Sequence, residues 1–158
     1  MKYTLSILVE NHAGVLSRIS GLFSRRGFNI DSLAVGITDD SSISRITIVV
    51  NGDDYIIEQV EKQLNKLIDV IKLRRLQSTE SISRELMLIK VKSTLQTRKD
   101  IMTIAQNLQA KVSDVSKQTI TIEISDTSEK IELICELLRP YTILEVARTG
   151  IVAIEKGK

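Results

Sequence analysis

The amino-acid sequence predicts an α+β protein that contains two antiparallel sheets, each formed by a βαββαβ unit. Apolar residues alternate between period 2 and helical spacing along the chain, the order strand-helix-strand-strand-helix-strand occurs twice, and a polar segment separates the two occurrences. A chain of 158 residues with a 42% hydrophobic share is long enough for two small domains with proper cores.

The first unit begins with a strand and a helix. Tyr3, Leu5, Ile7 and Val9 alternate with smaller or polar residues, which is the pattern of a half-buried strand. Helical spacing follows, and the basic pair before Gly27 predicts that the helix ends near Arg26. The apolar residues of this helix are Val15, Leu16, Ile19, Leu22 and Phe23.

A hairpin, a second helix and a fourth strand complete the first unit. Residues 29–38 alternate as a strand, the polar residues 39–42 predict a turn, and residues 45–51 form the third strand. The next helix is marked by Ile56, Ile57, Val60, Leu64 and Leu67, and residues 70–76 form the last strand.

Residues 78–83 are polar and lack periodicity, which predicts a linker between a first domain, 1–77, and a second, 84–158. The second domain repeats the order of the first. Its predicted strands are 85–92, 111–115, 119–125 and 141–147, and its helices are residues 97–109 and the segment that Pro140 ends. Possible capping boxes begin these helices, Thr97 with Asp100 and Asp126 with Glu129.

Each unit should place both helices on one face of its sheet, because crossovers between strands are right-handed. The other face is then expected to be uncovered. Each sheet also ends in edge strands with unpaired N–H and C=O groups, so we expect two copies to pair, sheet edge to sheet edge, as a homodimer.

Composition argues against nucleic-acid and membrane partners. Lysine and arginine number 22 against 20 acidic residues, and the two signs alternate along the chain. No apolar run approaches the roughly 20 residues that a membrane span needs. The N-terminus lacks a signal-peptide pattern. We therefore expect a cytoplasmic protein, or one of the plastid stroma if the chain is organelle-encoded.

The sequence does not support an enzyme of the usual acid-base or nucleophilic type, nor a metal site. His12 is the single histidine and is best interpreted as a solvated turn residue, while the single cysteine, Cys135, lies on an apolar helix stripe as an inert thiol. RNA-recognition modules of this topology stack bases on aromatic residues, but the third strand has none.

The turn between the first strand and helix is the candidate ligand site. A helix N-terminus leaves backbone N–H groups unpaired, and together with the helix dipole they can bind a carboxylate or phosphate. Gly14 would let a ligand approach this backbone, and the amides of Asn11 and Asn29 could donate and accept hydrogen bonds. Alternatively, Asn11 caps the helix and Gly14 serves turn geometry alone.

The chain closely resembles the regulatory small subunits of acetohydroxyacid synthase, also called acetolactate synthase, over essentially all of its length. Any one matching segment alone would indicate only a generic ACT domain, but together they are specific. The segments are Glu10-Asn11, Gly14 to Arg18, Gly21 to Leu33, Ser44-Arg45, Gln59 to Lys66, Leu67 to Val70, Arg84 to Val91 and Glu145 to Gly150.

This resemblance implies a ferredoxin-like ACT domain that binds a feedback amino acid, usually valine, at a dimer interface, followed by a ferredoxin-like, ACT-like C-terminal domain. It implies an effector site formed by Asn11 and Gly14 of one chain with Asn29 and Ile30 of the neighbouring chain. The carboxylate would bind the backbone of His12, Ala13, Gly14, Val15 and Leu16. Leu33 or Val35 would favour a branched aliphatic ligand.

The resemblance also implies a subunit without activity of its own. It would activate a separate catalytic subunit, which holds thiamine diphosphate, magnesium and FAD, and would make that subunit sensitive to the end product. Two alternatives remain: a stand-alone ACT-type amino-acid sensor that acts on another enzyme or a transcription factor, and a purely structural assembly subunit.

Overall fold

The computed structural model describes residues 1–157, which form two compact units. The first contains Met1–Ser83 together with the segment that begins at Ile151, and the second is Arg84–Gly150. The change of unit after Ser83 coincides with the predicted end of the linker. The last segment, however, belongs to the first unit, whereas the sequence placed it in a second domain 84–158.

In the first unit all six predicted elements are present. Its four strands form an antiparallel sheet in the order β2-β3-β1-β4, so β2 and β4 are its edges. The elements are β1 (Lys2–Glu10), α1 (Val15–Arg26), β2 (Ile30–Ile37), β3 (Ile43–Asn51), α2 (Asp54–Leu64) and β4 (Val70–Leu76).

The core of the first unit lies between the sheet and its two helices. Alternate residues of β1 and β3 face it, as the period-2 pattern predicted, and the apolar stripes of α1 and α2 cover them. The buried residues of this core are Leu5, Ile7, Val9, Val15, Ile19, Leu22, Phe23, Ile46, Ile48, Val50, Ile57, Val60 and Leu64.

Helix α1 ends at Arg26, as predicted, because Gly27 adopts a left-handed conformation with φ 67°. The N–H of Phe28 donates to the carbonyl of Phe23 at 3.0 Å, and that of Gly27 donates to the carbonyl of Ser24 at 3.2 Å. These bonds satisfy carbonyls that the helix end leaves open. The rings of Phe23 and Phe28 meet edge to face, which buries the turn against the core.

The sheet face opposite the helices is partly covered, contrary to the expectation that it is bare. A strand at the end of the chain, β9 (Val152–Glu155), lies against β1 and β4 and buries Ala153. Only the first half of the predicted linker, 78–83, is a turn: a bond from the Glu80 N–H to the Gln77 carbonyl closes it, and β5 already begins at Ser81. Within the first unit, the N–H of Lys156, just after β9, donates to the carbonyl of Glu80 at 2.8 Å.

The second unit has the same order of elements, and its sheet has the order β6-β7-β5-β8. Its elements are β5 (Ser81–Lys92), α3 (Arg98–Asn107), β6 (Lys111–Val115), β7 (Thr119–Asp126), α4 (Ser128–Leu138) and β8 (Ile143–Arg148). The part of β5 that belongs to this unit begins at Arg84. A short 3-10 turn, Arg139–Tyr141, follows α4 and contains Pro140. The two-unit ferredoxin-like fold is therefore confirmed.

Neither predicted capping box forms in the second unit. Thr97 and Thr127 stand at the N-caps of α3 and α4, but neither side chain accepts a bond from its helix. The Thr97 hydroxyl instead accepts from the N–H of Thr94 at 2.9 Å. The carboxylate of Asp126 accepts from the N–H of Thr127 at 2.8 Å. Local turn bonds have taken the place of the caps.

Replacing Gly27 with alanine should lower the free energy of unfolding by about 1 to 2 kcal/mol, because an L side chain is strained at this positive φ. Urea unfolding followed by circular dichroism measures the change. Gly36→Ala is the matched control, since a Cβ there meets no atom within 4 Å and its φ is not positive. Equal stability of the Gly27→Ala and wild-type chains would contradict the assigned role of Gly27.

Candidate functional site

The turn between β1 and α1 presents an open helix N-terminus. Gly14 is the N-cap residue of α1 with φ 88°, a conformation that glycine adopts without strain, and no side chain caps the helix. The first N–H with a helical acceptor is that of Arg18, which donates to the carbonyl of Gly14 at 3.0 Å. No acidic residue lies in the first turn, so no carboxylate of the helix itself offsets the positive end of the helix dipole.

Asn11 positions this turn and does not cap the helix, so its alternative interpretation as an N-cap is wrong. Its side-chain Nδ2 donates to the carbonyl of Ser41 at 2.8 Å, and its backbone N–H donates to the carbonyl of Ser42 at 2.8 Å. These bonds attach the turn to the β2–β3 hairpin. The side-chain oxygen of Asn11 makes no hydrogen bond among residues 1–157 and can accept one from an ammonium group.

The buried carboxylate of Asp69 stabilises this turn through its contacts. Asp69, which is 5% exposed, accepts a bond from Arg18 Nε at 2.6 Å and contacts His12 Nε2 at 3.1 Å. Its backbone carbonyl accepts from the N–H of Glu10 at 2.9 Å. The Arg18 hydrogen bond, with a smaller contribution from His12, keeps the pKa of Asp69 below its ordinary value, although burial opposes this shift.

Arg18 brings a cation to the helix N-terminus. A Cβ added at Gly14 would lie 3.0 Å from Arg18 Nη1, so the guanidinium lies directly against this glycine. Reasoning from the sequence did not assign Arg18 or Asp69 to the site. The helical spacing of Arg18, one turn after Gly14, could have indicated Arg18. The role of Asp69 depends on a tertiary contact between distant segments and has no local signal.

The remaining predicted residues of the turn differ in exposure. Val15 is 4% exposed and its side chain belongs to the core, so only its backbone can face a ligand. Leu16 is 42% exposed, and His12 and Ala13 are exposed as well. Val35 on β2 is half exposed, whereas Leu33 packs partly against the core.

Asn29 and Ile30 lie at the opposite end of the same sheet from the turn. Ile30 pairs with Val50, which in turn pairs with Tyr3 near the start of β1, whereas the turn follows the end of β1 at Glu10. Since a strand rises roughly 3.3 Å per residue, these positions are roughly 23 Å apart within one chain. A single chain therefore does not bring Asn29 and Asn11 together.

Three features of the described residues concern metal binding, membrane spanning and thiol reactivity. Among residues 1–157, no group of three or more His, Cys, Asp or Glu side chains could hold a metal ion. The described helices include none that is long and apolar enough to cross a membrane. Burial raises the pKa of the half-buried Cys135 thiol, which agrees with an inert residue.

The comparisons with known proteins define the class of the first unit. Residues 5–72 match the family described as the AHAS small subunit-like ACT domain. Residues 84–157 match the family described as the small subunit of acetolactate synthase. The first unit is thus an ACT domain, as its sheet order and open helix N-terminus suggest.

Whole-chain relatives agree with both matches. The chain is 51% identical to the acetolactate synthase small subunit of Mycolicibacterium smegmatis, with 98% of this chain and 91% of the relative aligned. It is 47% identical to a probable acetolactate synthase small subunit of Archaeoglobus fulgidus over 99% and 98% of the two chains. The crystal structure of the small subunit from Thermotoga maritima superposes with a TM-score of 0.94 at 38% identity, covering 100% and 99% of the two chains. The chain belongs to the family of acetolactate synthase small subunits.

Asp69→Asn should destabilise the first unit at neutral pH, and its difference from wild type should shrink in acid. The folded pKa of Asp69 is lowered, so its contribution is fully present above the unfolded pKa of about 3.9 and is lost as the pH falls through the folded pKa. Urea midpoints at several pH values between neutral and strongly acidic measure this.

Asp39→Asn is the control for this measurement, because Asp39 is exposed and makes no ion pair or side-chain hydrogen bond among the described residues. It should follow the wild-type pH response. A constant stability difference between Asp69→Asn and wild type at every pH would contradict the electrostatic role of Asp69.

Proposed function

We propose that this chain is the regulatory subunit of acetolactate synthase in the biosynthesis of branched-chain amino acids. It binds the catalytic large subunit, activates it, and makes it subject to feedback inhibition by valine or another branched-chain amino acid. The chain itself is not catalytic, and the thiamine diphosphate, magnesium and FAD belong to the catalytic partner. The relatives named as small subunits support the pathway, and the open N-terminus of α1 supports an effector site.

The effector carboxylate would bind at the first turn of α1. The backbone N–H groups there have no side-chain cap, Gly14 lets a ligand approach closely, and the Arg18 guanidinium adds positive charge. The ammonium group would donate to the free side-chain oxygen of Asn11. An amino acid carries both groups a short distance apart, which is why this turn suits it better than a simple anion.

A second copy of the chain would complete the site. Asn29 and Asn11 are at opposite ends of the sheet, and β2 is an edge strand whose Ile37 is 67% exposed. If two β2 strands pair antiparallel, the start of one β2 lies opposite the end of the other. Asn29 and Ile30 of one chain would then approach the neighbour's hairpin at Ser41, to which Asn11 is bonded.

Regulation would follow from this shared site. An effector bound between two chains stabilises one arrangement of the dimer, and the catalytic subunit responds to the change in population. The effector must then bind the inhibited complex more tightly than the active one, since equal affinity shifts nothing. Val35 of β2 would contact the aliphatic side chain, and one methylene there discriminates between ligands by only about 1 to 3 kcal/mol.

Asn29→Ala should weaken effector binding by about ten-fold or more, because an amide hydrogen bond to a charged group is lost. Isothermal titration of the full chain with valine, leucine and isoleucine measures the affinity. The assembled holoenzyme should correspondingly resist inhibition by the same amino acid. Asn107→Ala is the matched control, since Asn107 is an exposed asparagine of the second unit whose side chain makes no hydrogen bond among residues 1–157.

Normal inhibition of the Asn29→Ala holoenzyme would refute the assignment of Asn29. If wild-type chain binds none of the three amino acids, alone or with the catalytic subunit, the feedback role fails. If instead the chain binds an amino acid but not the catalytic subunit, the function is that of a separate amino-acid sensor.

A further inference from the structure

The sheet face opposite the helices of the first unit carries a row of cations that the effector site does not use. Leu8 on β1 is directly opposite Arg45 on β3 and directly opposite Lys72 on β4. We call these three residues, the cations Arg45 and Lys72 with Leu8 between them, the basic row. Because adjacent strands are roughly 4.8 Å apart, the two cations flank Leu8 on either side.

The same face already binds one carboxylate. In the next row along β1, Ser6 is opposite Arg74, and Arg74 forms an ion pair with Glu155 of β9. A pocket of about 390 Å³ is lined by the basic row together with Ser6, Arg74, Ile154 and their neighbours. Glu155 is the one acidic residue that lines it, and its carboxylate is engaged by Arg74.

Among the described residues, Arg45 and Lys72 of the basic row have no acidic partner. Arg45 is partly buried, and its Nη1 donates to the hydroxyl of Ser6 at 2.6 Å, which fixes the guanidinium over β1. Lys72 is exposed and makes no ion pair or hydrogen bond among residues 1–157. On β2, Gly36 lies opposite Arg45, and because a Cβ at Gly36 would meet no atom within 4 Å, there is open space beside the arginine. Two positive charges therefore border an accessible, partly apolar pocket.

We propose that the basic row is a docking site for an acidic, extended segment of a partner protein, whose carboxylates bind Arg45 and Lys72 above Leu8. Glu155 shows the geometry, since its carboxylate on an extended strand binds Arg74 of the adjacent row. Arginine is enriched at protein interfaces, and complementary charge across an interface guides partners together and fixes their register. The proposal rests on the proposed function in one respect: that partner is the catalytic subunit.

A protein segment fits this face better than a small free anion. Sites for phosphate and small carboxylates draw most of their donors from unpaired backbone N–H groups at helix starts and nests. On β1 these groups are occupied by pairing with β3 and β4, so the basic row offers side-chain donors alone. Exposed Ile154 adds apolar surface that a peptide can cover and an inorganic anion cannot.

The test measures the affinity of the purified full chain for the purified catalytic subunit at low and at high salt. Lys72→Glu should weaken binding about ten-fold or more at low salt and reduce the salt dependence, because it places like charges together. Arg45→Gln should weaken binding in the same direction. Lys62→Glu is the control, since Lys62 is an exposed cation on α2, on the opposite face of the sheet.

Circular dichroism and the affinity for valine, both unchanged in Lys72→Glu, would show that the variant folds and keeps its effector site. Wild-type affinity for the catalytic subunit in both Lys72→Glu and Arg45→Gln would overturn the docking site and leave the proposed function intact. Equal weakening by Lys62→Glu would also overturn it, since net charge would then explain the loss. If wild-type chain does not bind the catalytic subunit at all, the proposed function fails and the docking site fails with it.

Discussion

The bond between Arg18 and the buried Asp69 is the interaction on which the candidate site depends. A carboxylate removed from water needs compensating charge, and Arg18 Nε at 2.6 Å supplies it, while His12 Nε2 makes a further contact at 3.1 Å. The same bond holds the Arg18 guanidinium against Gly14, where an effector carboxylate would bind. Asp69 thus keeps the turn in place without capping the helix, because its carboxylate contacts the side chains of Arg18 and His12.

The sheet topology imposes a second constraint, which concerns how many chains a complete site needs. Helix α1 runs back along the sheet, so the chain enters the edge strand β2 at the end of the sheet opposite the turn. The start of β2 is therefore roughly 23 Å from the turn before α1. Residues that are close in sequence are thereby separated in space. A site that uses both Asn11 and Asn29 is necessarily shared between chains, and ligand binding then depends on their arrangement.

Much of this fold could be predicted because the local signals agree with one another. The period-2 strands, the amphipathic helices and Gly27 after Arg26 each indicate the same elements, and the structure has them. Two of the errors have a common cause. Asn11 is bonded to the hairpin and not to its own helix, and β9 joins the first unit although it follows the second. Both depend on contacts between segments far apart in sequence, which propensity and periodicity do not describe.

The proposed effector turn and the proposed docking site of the ACT domain would use different donors for a physical reason. At the start of α1 the backbone itself is unpaired, so a small carboxylate can approach closely and replace water with several aligned N–H groups. On the sheet face the backbone is paired, and only the ends of long side chains remain to bind anions. Such side chains lose conformational freedom when they bind, so they favour a ligand that contributes apolar contact and several charges together. The turn therefore suits a small amino acid, and the basic row suits an acidic protein segment.

Both proposed surfaces involve β1 and β4. Leu8 lies three residues before Asn11 in the sequence, and Lys72 lies three residues after Asp69. A shift of the turn on effector binding would consequently act on the strands that carry the docking residues, with no long path between them.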